Sequence, residues 1–376
     1  MGRGLHSAIG AVITLALAVS LARDAAPPRL SLTLVGFDAL PGWASDDLSS
    51  AIPAFVRSCV RFSKQSPAAP FGPIDRGVDY GHVADWLPIC TGAGILAGKD
   101  ETAARRFFES AFMPMAVADY GDGDGLFTGY FEIELNGSRH RHGRFQTPIY
   151  RRPPDLGVTP SYSRAQIEDG ALAHRGLELF WVDDPIGAFF LQIQGSGRIR
   201  LEGGRVVRVG YDGQNGLPYV AVGRLLFERG EIPRGKVTMA SIRAWMRAHP
   251  QAGAALRRED PSYVFFRIIK GDGPIGAEGV VLTPERSLAV DRSYIPLGVP
   301  IWLAASEQFL PDVAVRRLVV AQDTGGAIKG PVRGDLFWGA GTAAGNRAGE
   351  MDARGRYYLL LPRTAAARLI AEEERR

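Results

Sequence analysis

The chain has 376 residues, 46% of them apolar and 22% charged, with a formal net charge of +4. This is the composition of a soluble globular protein, long enough for one large domain or two ordinary ones. Forty-six glycines and 25 prolines argue against a helical protein and for a turn-rich, β-rich one, while six histidines and two cysteines leave little material for a metal site.

The first residues read as an export signal. Arg3 and the free amine give a positive start, residues 8–22 are apolar, and Ser20-Leu21-Ala22 makes a small-x-small cleavage site. The stretch falls short of the ~20 apolar residues that a membrane span needs, and no cysteine lies near its end to take a lipid. Residues 1–22 are expected to mark the chain for the periplasm of a Gram-negative bacterium. Loss of Arg3 would take the net charge from +4 to +3, a mild excess that suits an anionic polymer.

Pro27-Pro28 opens a linker into residues 30–35. Residues 46–64 have helical periodicity, with Leu48, Ile52, Phe55, Val56, Cys59 and Val60 on one face. Asp100 is placed to cap a second helix that buries Ala103, Ala104, Phe107, Phe108, Ala111 and Phe112, with Pro114 as its stop. Residues 127–134, 146–150, 180–182 and 189–194 read as strands between Gly, Pro and Asp turns. Residues 219–227 and 242–248 read as helices, the second capped by Thr238 or Ser241 and stopped by Pro250. Strands are expected again at 263–269, 280–282, 288–290, 300–303, 318–321 and 357–361, and residues 363–376 as a short exposed helix. Cys59 and Cys90 are expected to pair in an oxidising compartment, with a pair of buried thiols as the alternative.

The segment from Asp323 to Gly330, reading DTGGAIKG, follows the apolar run 318–321 and leads to Asp335-Leu336-Phe337-Trp338-Gly339. It places one carboxylate at a strand end and a second beyond a glycine-rich turn. Two carboxylates in one groove suit acid–base work on a glycosidic bond, where one acid must stay protonated near neutral pH. Asp323-Thr324-Gly325 is also the aspartic-protease tripeptide, but that chemistry needs two such loops and the chain has one. Asp122-Gly123-Asp124-Gly125 fails as a calcium loop, because Tyr120 and Phe131 fall on the first and last ligand places. His140 and His142 lack a third ligand in sequence and read as surface residues.

A third aspartate, Asp291, lies in the segment from Ala289 to Gly298, AVDRSYIPLG. These segments resemble the three-aspartate domain of bacterial cell-wall proteins. FTGYF at 127–131, FQTPIYR at 145–151, FLQIQGSG at 190–197, PSYVFF at 261–266 and GTAAG at 341–345 extend the likeness in order over residues 120–360. The chain resembles the membrane-bound lytic murein transglycosylase A family. The resemblance implies a mainly β fold: a discontinuous double-psi β-barrel (residues 23–129 and 260–376), a smaller inserted β domain (130–259) and a few covering helices. A glycan groove would run between them. It implies a monomer without metal or cofactor that acts on peptidoglycan glycan strands, cutting between N-acetylmuramic acid and N-acetylglucosamine to leave 1,6-anhydromuramyl ends. Carried over by position, Asp335 is the acid and base, with Asp323 stabilising charge or hydrogen-bonding Asp335. Thr128, Gln194 and Lys329 become candidates for sugar hydrogen bonds, Tyr130 for stacking, and Phe337 for substrate contact. Asp291 is a substrate contact or a structural bond to the loop backbone. The family's lipid-bearing cysteine is missing here. The other readings are a glycan-binding module without catalysis, and a hydrolase with a second carboxylate opposite Asp335.

Overall fold

The computed structural model describes residues 30–73, 78–96, 98, 100–157, 162–233, 236–271, 273–307 and 314–375. The expected signal, residues 1–22, lies outside them. Thirteen strands are present among the described residues: β1 Leu30–Leu34, β2 Phe112–Asp119, β3 Gly125–Ser138, β4 Thr147–Tyr150, β5 Glu178–Val182, β6 Ser196–Leu201, β7 Val206–Gln214, β8 Val264–Ile269, β9 Ser287–Val290, β10 Pro300–Glu307, β11 Ala314–Asp323, β12 Arg333–Ala340 and β13 Asp352–Pro362. The fold is a large mixed β-sheet with helices around it.

Pairing in the order β13–β10–β11–β9–β12–β3, with β3 returning to β13, closes six strands into a ring. Inside it, Phe127, Leu288, Ile301, Val319, Leu336 and Leu359 are fully buried. Every second residue of a strand points the same way. Phe127, Leu288 and Leu336 therefore face the core, which leaves Thr128, Ala289 and Asp335 on the opposite face. β3 is long enough to serve two sheets. Its first half pairs with β12 and β13, and its second half with β6 and β5, on a sheet continued by β4, β7 and β8.

The helices Ile52–Phe62, Val83–Ile95 and Glu101–Ala111 are among those that cover the ring. Ile52–Phe62 turns Ile52, Phe55, Cys59 and Phe62 inward, but Val60, expected on that stripe, is 53% exposed. Val83–Ile95 adds the buried Trp86, stacked on Phe71 with centroids 4.2 Å apart. In Glu101–Ala111, Asp100 caps the first turn by accepting from the Ala103 amide at 2.8 Å. That helix stops before Phe112, and Pro114 sits within β2 rather than acting as the stop. Cys59 and Cys90 are bonded across the first two helices, with Cα atoms 5.3 Å apart.

Residues 189–194 are helical, within Pro185–Gln194, because Asp184 caps the start by accepting from the Gly187 amide, Pro185 pre-sets the first turn and Gly195 closes it at φ 75°. Its sequence shows no polar face because both sides are buried. Pro250 opens a new helix, Pro250–Arg258, as well as ending the previous one. Residues 280–282 form a single bridge, Ile275 to Val281, rather than a strand. The final helix, Arg363–Glu373, buries Ala365 and Ala366 and ties Arg368 to Asp85 at 2.6 Å, so it is not wholly exposed.

Candidate active site

Registers across four neighbouring strands assemble the site. Asp323 on β11 pairs with Ala289 on β9, Ala289 with Asp335 on β12, and Asp335 with Thr128 on β3. The four residues form one row across the outer face of the ring. With strands ~4.8 Å apart, the two aspartates stand about 9–10 Å apart at Cα, with Ala289 between them.

Asp335 keeps partial solvent contact. Its Oδ1 accepts from the Thr128 hydroxyl at 2.7 Å. Thr128 Oγ1 accepts in turn from Arg333 Nη2 at 2.9 Å, and Arg333 also donates to the carbonyls of Leu126 and Gly334. With an N–H of Arg333 directed at its oxygen, Thr128 has its single proton for Asp335. Oδ2 of Asp335 accepts no hydrogen bond among the described residues. Burial pushes the Asp335 carboxyl up to about 6, against the Thr128 hydrogen bond and the Arg333 charge; Asp323 adds to the rise.

The low-dielectric surroundings are visible beside it. Tyr130, Leu282, Ala289, Ile328 and Phe337 form a separate apolar cluster, with the Tyr130 and Phe337 rings 5.2 Å apart. Phe337 is 1% exposed, so it backs the site instead of meeting a substrate. Tyr130 is also buried, with no open ring face for stacking, and its hydroxyl donates to Asp323 Oδ2 at 2.7 Å.

Asp323 Oδ1 accepts from the amides of Ala277 and Thr324, both at 2.9 Å. Burial raises its carboxyl above the ordinary value, while these three hydrogen bonds oppose the rise. No hydrogen bond joins it to Asp335 among the described residues; Thr128 holds Asp335 instead. Asp291 holds the loop between them. Its Oδ2 accepts from the Gly330 amide at 2.9 Å, and its Oδ1 from the Ser293 amide and hydroxyl at 3.1 and 2.7 Å. Burial works against its charge, but these donors and Lys329 outweigh it and hold the carboxyl below the usual range.

Gln194, the last residue of its helix, uses Oε1 to accept from the Phe131 amide at 3.0 Å. Lys329 is exposed on the loop after Asp323. Arg333 was missed in the sequence; its position two residues before Asp335, on the same face of a strand, was the available signal. Among the described residues no cluster of metal-binding side chains is present.

Residues 126–267 match the MltA specific insert domain and residues 286–361 the 3D domain. The membrane-bound lytic murein transglycosylase A of Escherichia coli K12 is 36% identical over 289 residues, 75% of each chain. The chain belongs to the membrane-bound lytic murein transglycosylase A family. It is therefore an enzyme. The membrane-bound lytic murein transglycosylase of Agrobacterium tumefaciens superposes with a TM-score of 0.79 at 33% identity, covering 90% of this chain and 99% of that one. E. coli MltA with bound chitohexaose superposes with a TM-score of 0.66 at 28% identity, covering 90% and 95%. Among the described residues no helix is long and apolar enough to cross a membrane.

Proposed function

We propose that this family member is a lytic transglycosylase that cuts the β-1,4 bond between N-acetylmuramic acid and N-acetylglucosamine in peptidoglycan, leaving a 1,6-anhydromuramyl end. The observation that carries this reading is the asymmetric holding of Asp335. Oδ1 is fixed by Thr128 and Arg333, Oδ2 has no protein partner among the described residues, and the carboxyl is pushed up to about 6. The acidic proton then sits on Oδ2, ready for the leaving glycosidic oxygen. As the C1–O4 bond breaks, that proton moves to O4. The Asp335 carboxylate, supported by the Thr128 hydrogen bond and the Arg333 charge, next takes the proton of the muramyl C6 hydroxyl as O6 bonds to C1. No water enters, because the nucleophile is already tethered to the ring.

A hydrolase needs a second carboxylate to activate water from across the bond. Asp323 suits that role poorly, since both its oxygens already accept hydrogen bonds from Tyr130, Ala277 and Thr324. Its proposed role is to favour positive charge in the groove. Lys329 and the Gln194 side-chain NH2 are the proposed donors to sugar.

The six-strand ring supports a double-psi β-barrel, with the second sheet as the insert and the glycan lying between them. The N-terminal signal pattern supports export to the periplasm. Digestion of purified murein in water enriched in heavy oxygen tests the chemistry. Unlabelled anhydro ends are expected, whereas heavy-oxygen reducing ends as the main product would mean hydrolysis and overturn the reading.

A further inference from the structure

Away from the acid, the second sheet holds a cleft of about 500 Å³ lined by Glu134, Arg198, Arg200, Arg205, Arg208 and Lys270, with Val206 and Ile268 as apolar walls. The cations are brought together by register. Arg198 on β6 stands directly opposite Arg208 on β7. Like charges directly opposite in an antiparallel pair weaken a sheet, and the local carboxylates only partly offset them. Glu134 is shared by Arg198 at 3.3 Å and Arg200 at 2.7 Å, and Glu132 holds Arg208 at 2.8 Å. Arg205 and Lys270 have no carboxylate partner among the described residues. Arg198 Nε is buried and donates to nothing. Val206 and Ile268 are 39% and 41% exposed, so the cleft offers apolar surface beside uncompensated positive charge.

The cleft is tied to the acid by one strand. Thr128, Tyr130, Glu132 and Glu134 alternate along β3 on a single face, from the partner of Asp335 to the partner of Arg198. Six residues of strand at ~3.3 Å each separate the two ends by about 20 Å. A peptide of five residues, fully extended, spans about 17 Å, and the lactyl group that joins it to the sugar adds about one residue's length more. We infer that this cleft binds the carboxylates of the peptide stem carried by the muramic acid residue at the cutting site. The arginines take the carboxylates, and Val206 and Ile268 receive the aliphatic part of the stem. This rests on the proposed murein substrate and adds a second recognition site to it. Binding energy from a remote stem holds the muramyl ring at Asp335 and belongs to the specificity of the reaction.

The test compares intact murein with glycan strands stripped of peptide by an amidase, using the full chain and its R205E/K270E double variant. Both changes fall on exposed side chains, so folding is checked by melting temperature alone. The wild type is expected to prefer the peptide-bearing strands in kcat/KM, and the double variant to lose about tenfold of that preference through KM. A synthetic stem tetrapeptide is expected to bind the wild type, to weaken with added salt and to fail with the double variant, whereas inorganic phosphate at the same concentration competes weakly. An unchanged preference in the double variant, or peptide binding unaltered by it, would overturn the inference. Failure of the wild type to cut either substrate would instead count against the murein reading itself.

Discussion

At Thr128 the strand β3 borders a carboxyl set among apolar rings; about 20 Å along the same face, at Glu134, it borders arginines that share too few carboxylates. The first setting favours the neutral form of one group, because burial penalises its charged form more than Thr128 and Arg333 stabilise it. The second leaves its surplus cations facing solvent. On the proposed reading, one strand supplies chemistry at one end and attraction at the other. The difference lies in what surrounds it: Tyr130 and Phe337 near the acid, and β6 with β7 near the arginines.

The sharpest way to break this contrast is to remove the acid. Asp335→Ala is expected to lower murein cleavage by at least ~100-fold, the usual contribution of a positioned acid–base group, while the protein still folds and binds glycan. Activity within tenfold of the wild type would take Asp335 out of the catalytic role. Asp335→Asn should also melt higher than wild type at pH 8. The raised carboxyl contributes stability below the unfolded value of 3.8 that is lost as pH rises through about 6, and the amide lacks that loss.

A smaller loss is expected at the group that orients the acid. Thr128→Val should cost up to ~100-fold through misplacement of Oδ2. Because the Thr128 hydrogen bond lowers the Asp335 pKa, its removal should move the alkaline limb of the kcat/KM profile above about 6. A reduced rate with the limb unmoved would indicate a merely structural threonine.

Glu278 shows whether burial alone reproduces the effect seen at the acid. It is 8% exposed, its Oε2 accepts from Ser58 at 2.7 Å, and burial pushes it up to about 7 from 4.5. Stability should fall by as much as about 3 kcal/mol as pH rises from 4.5 to 7 through this group. Glu278→Gln should flatten that part of the denaturant-midpoint profile, and an unaltered slope would mean that Glu278 titrates like an ordinary carboxylate despite its burial. Tyr130→Phe should cost about 1–3 kcal/mol, by leaving Asp323 Oδ2 without its donor in a buried place. Chemical denaturation measures this directly, and an unchanged midpoint would show that the bond adds nothing.

How much of this was legible in the sequence depended on the range of the cause. Local signals worked: the Asp100 cap, the Thr238 cap and the apolar run before Asp323 each specify an element from a few adjacent residues. The helix Pro185–Gln194 was misread as a strand because burial on both sides removes its periodicity. β6 and β7 were missed although Gly203-Gly204 marks their turn. The aspartates were legible as chemistry, but their arrangement was not. That Ala289 separates them follows from β9 pairing with both β11 and β12. That Tyr130 and Phe337 are buried behind them, and that Arg333 and Thr128 hold Oδ1, follow from pairing between strands more than 150 residues apart.

On this account Asp335 holds its proton up to about pH 6 because of where the fold puts it. Carbon-13 carboxyl NMR of the full chain, with the Asp335 signal assigned by its loss in Asp335→Asn, measures this without any substrate. The expected midpoint is about 6, rising further in Thr128→Val. A midpoint near 4, or one that falls when Thr128 is removed, would contradict the account.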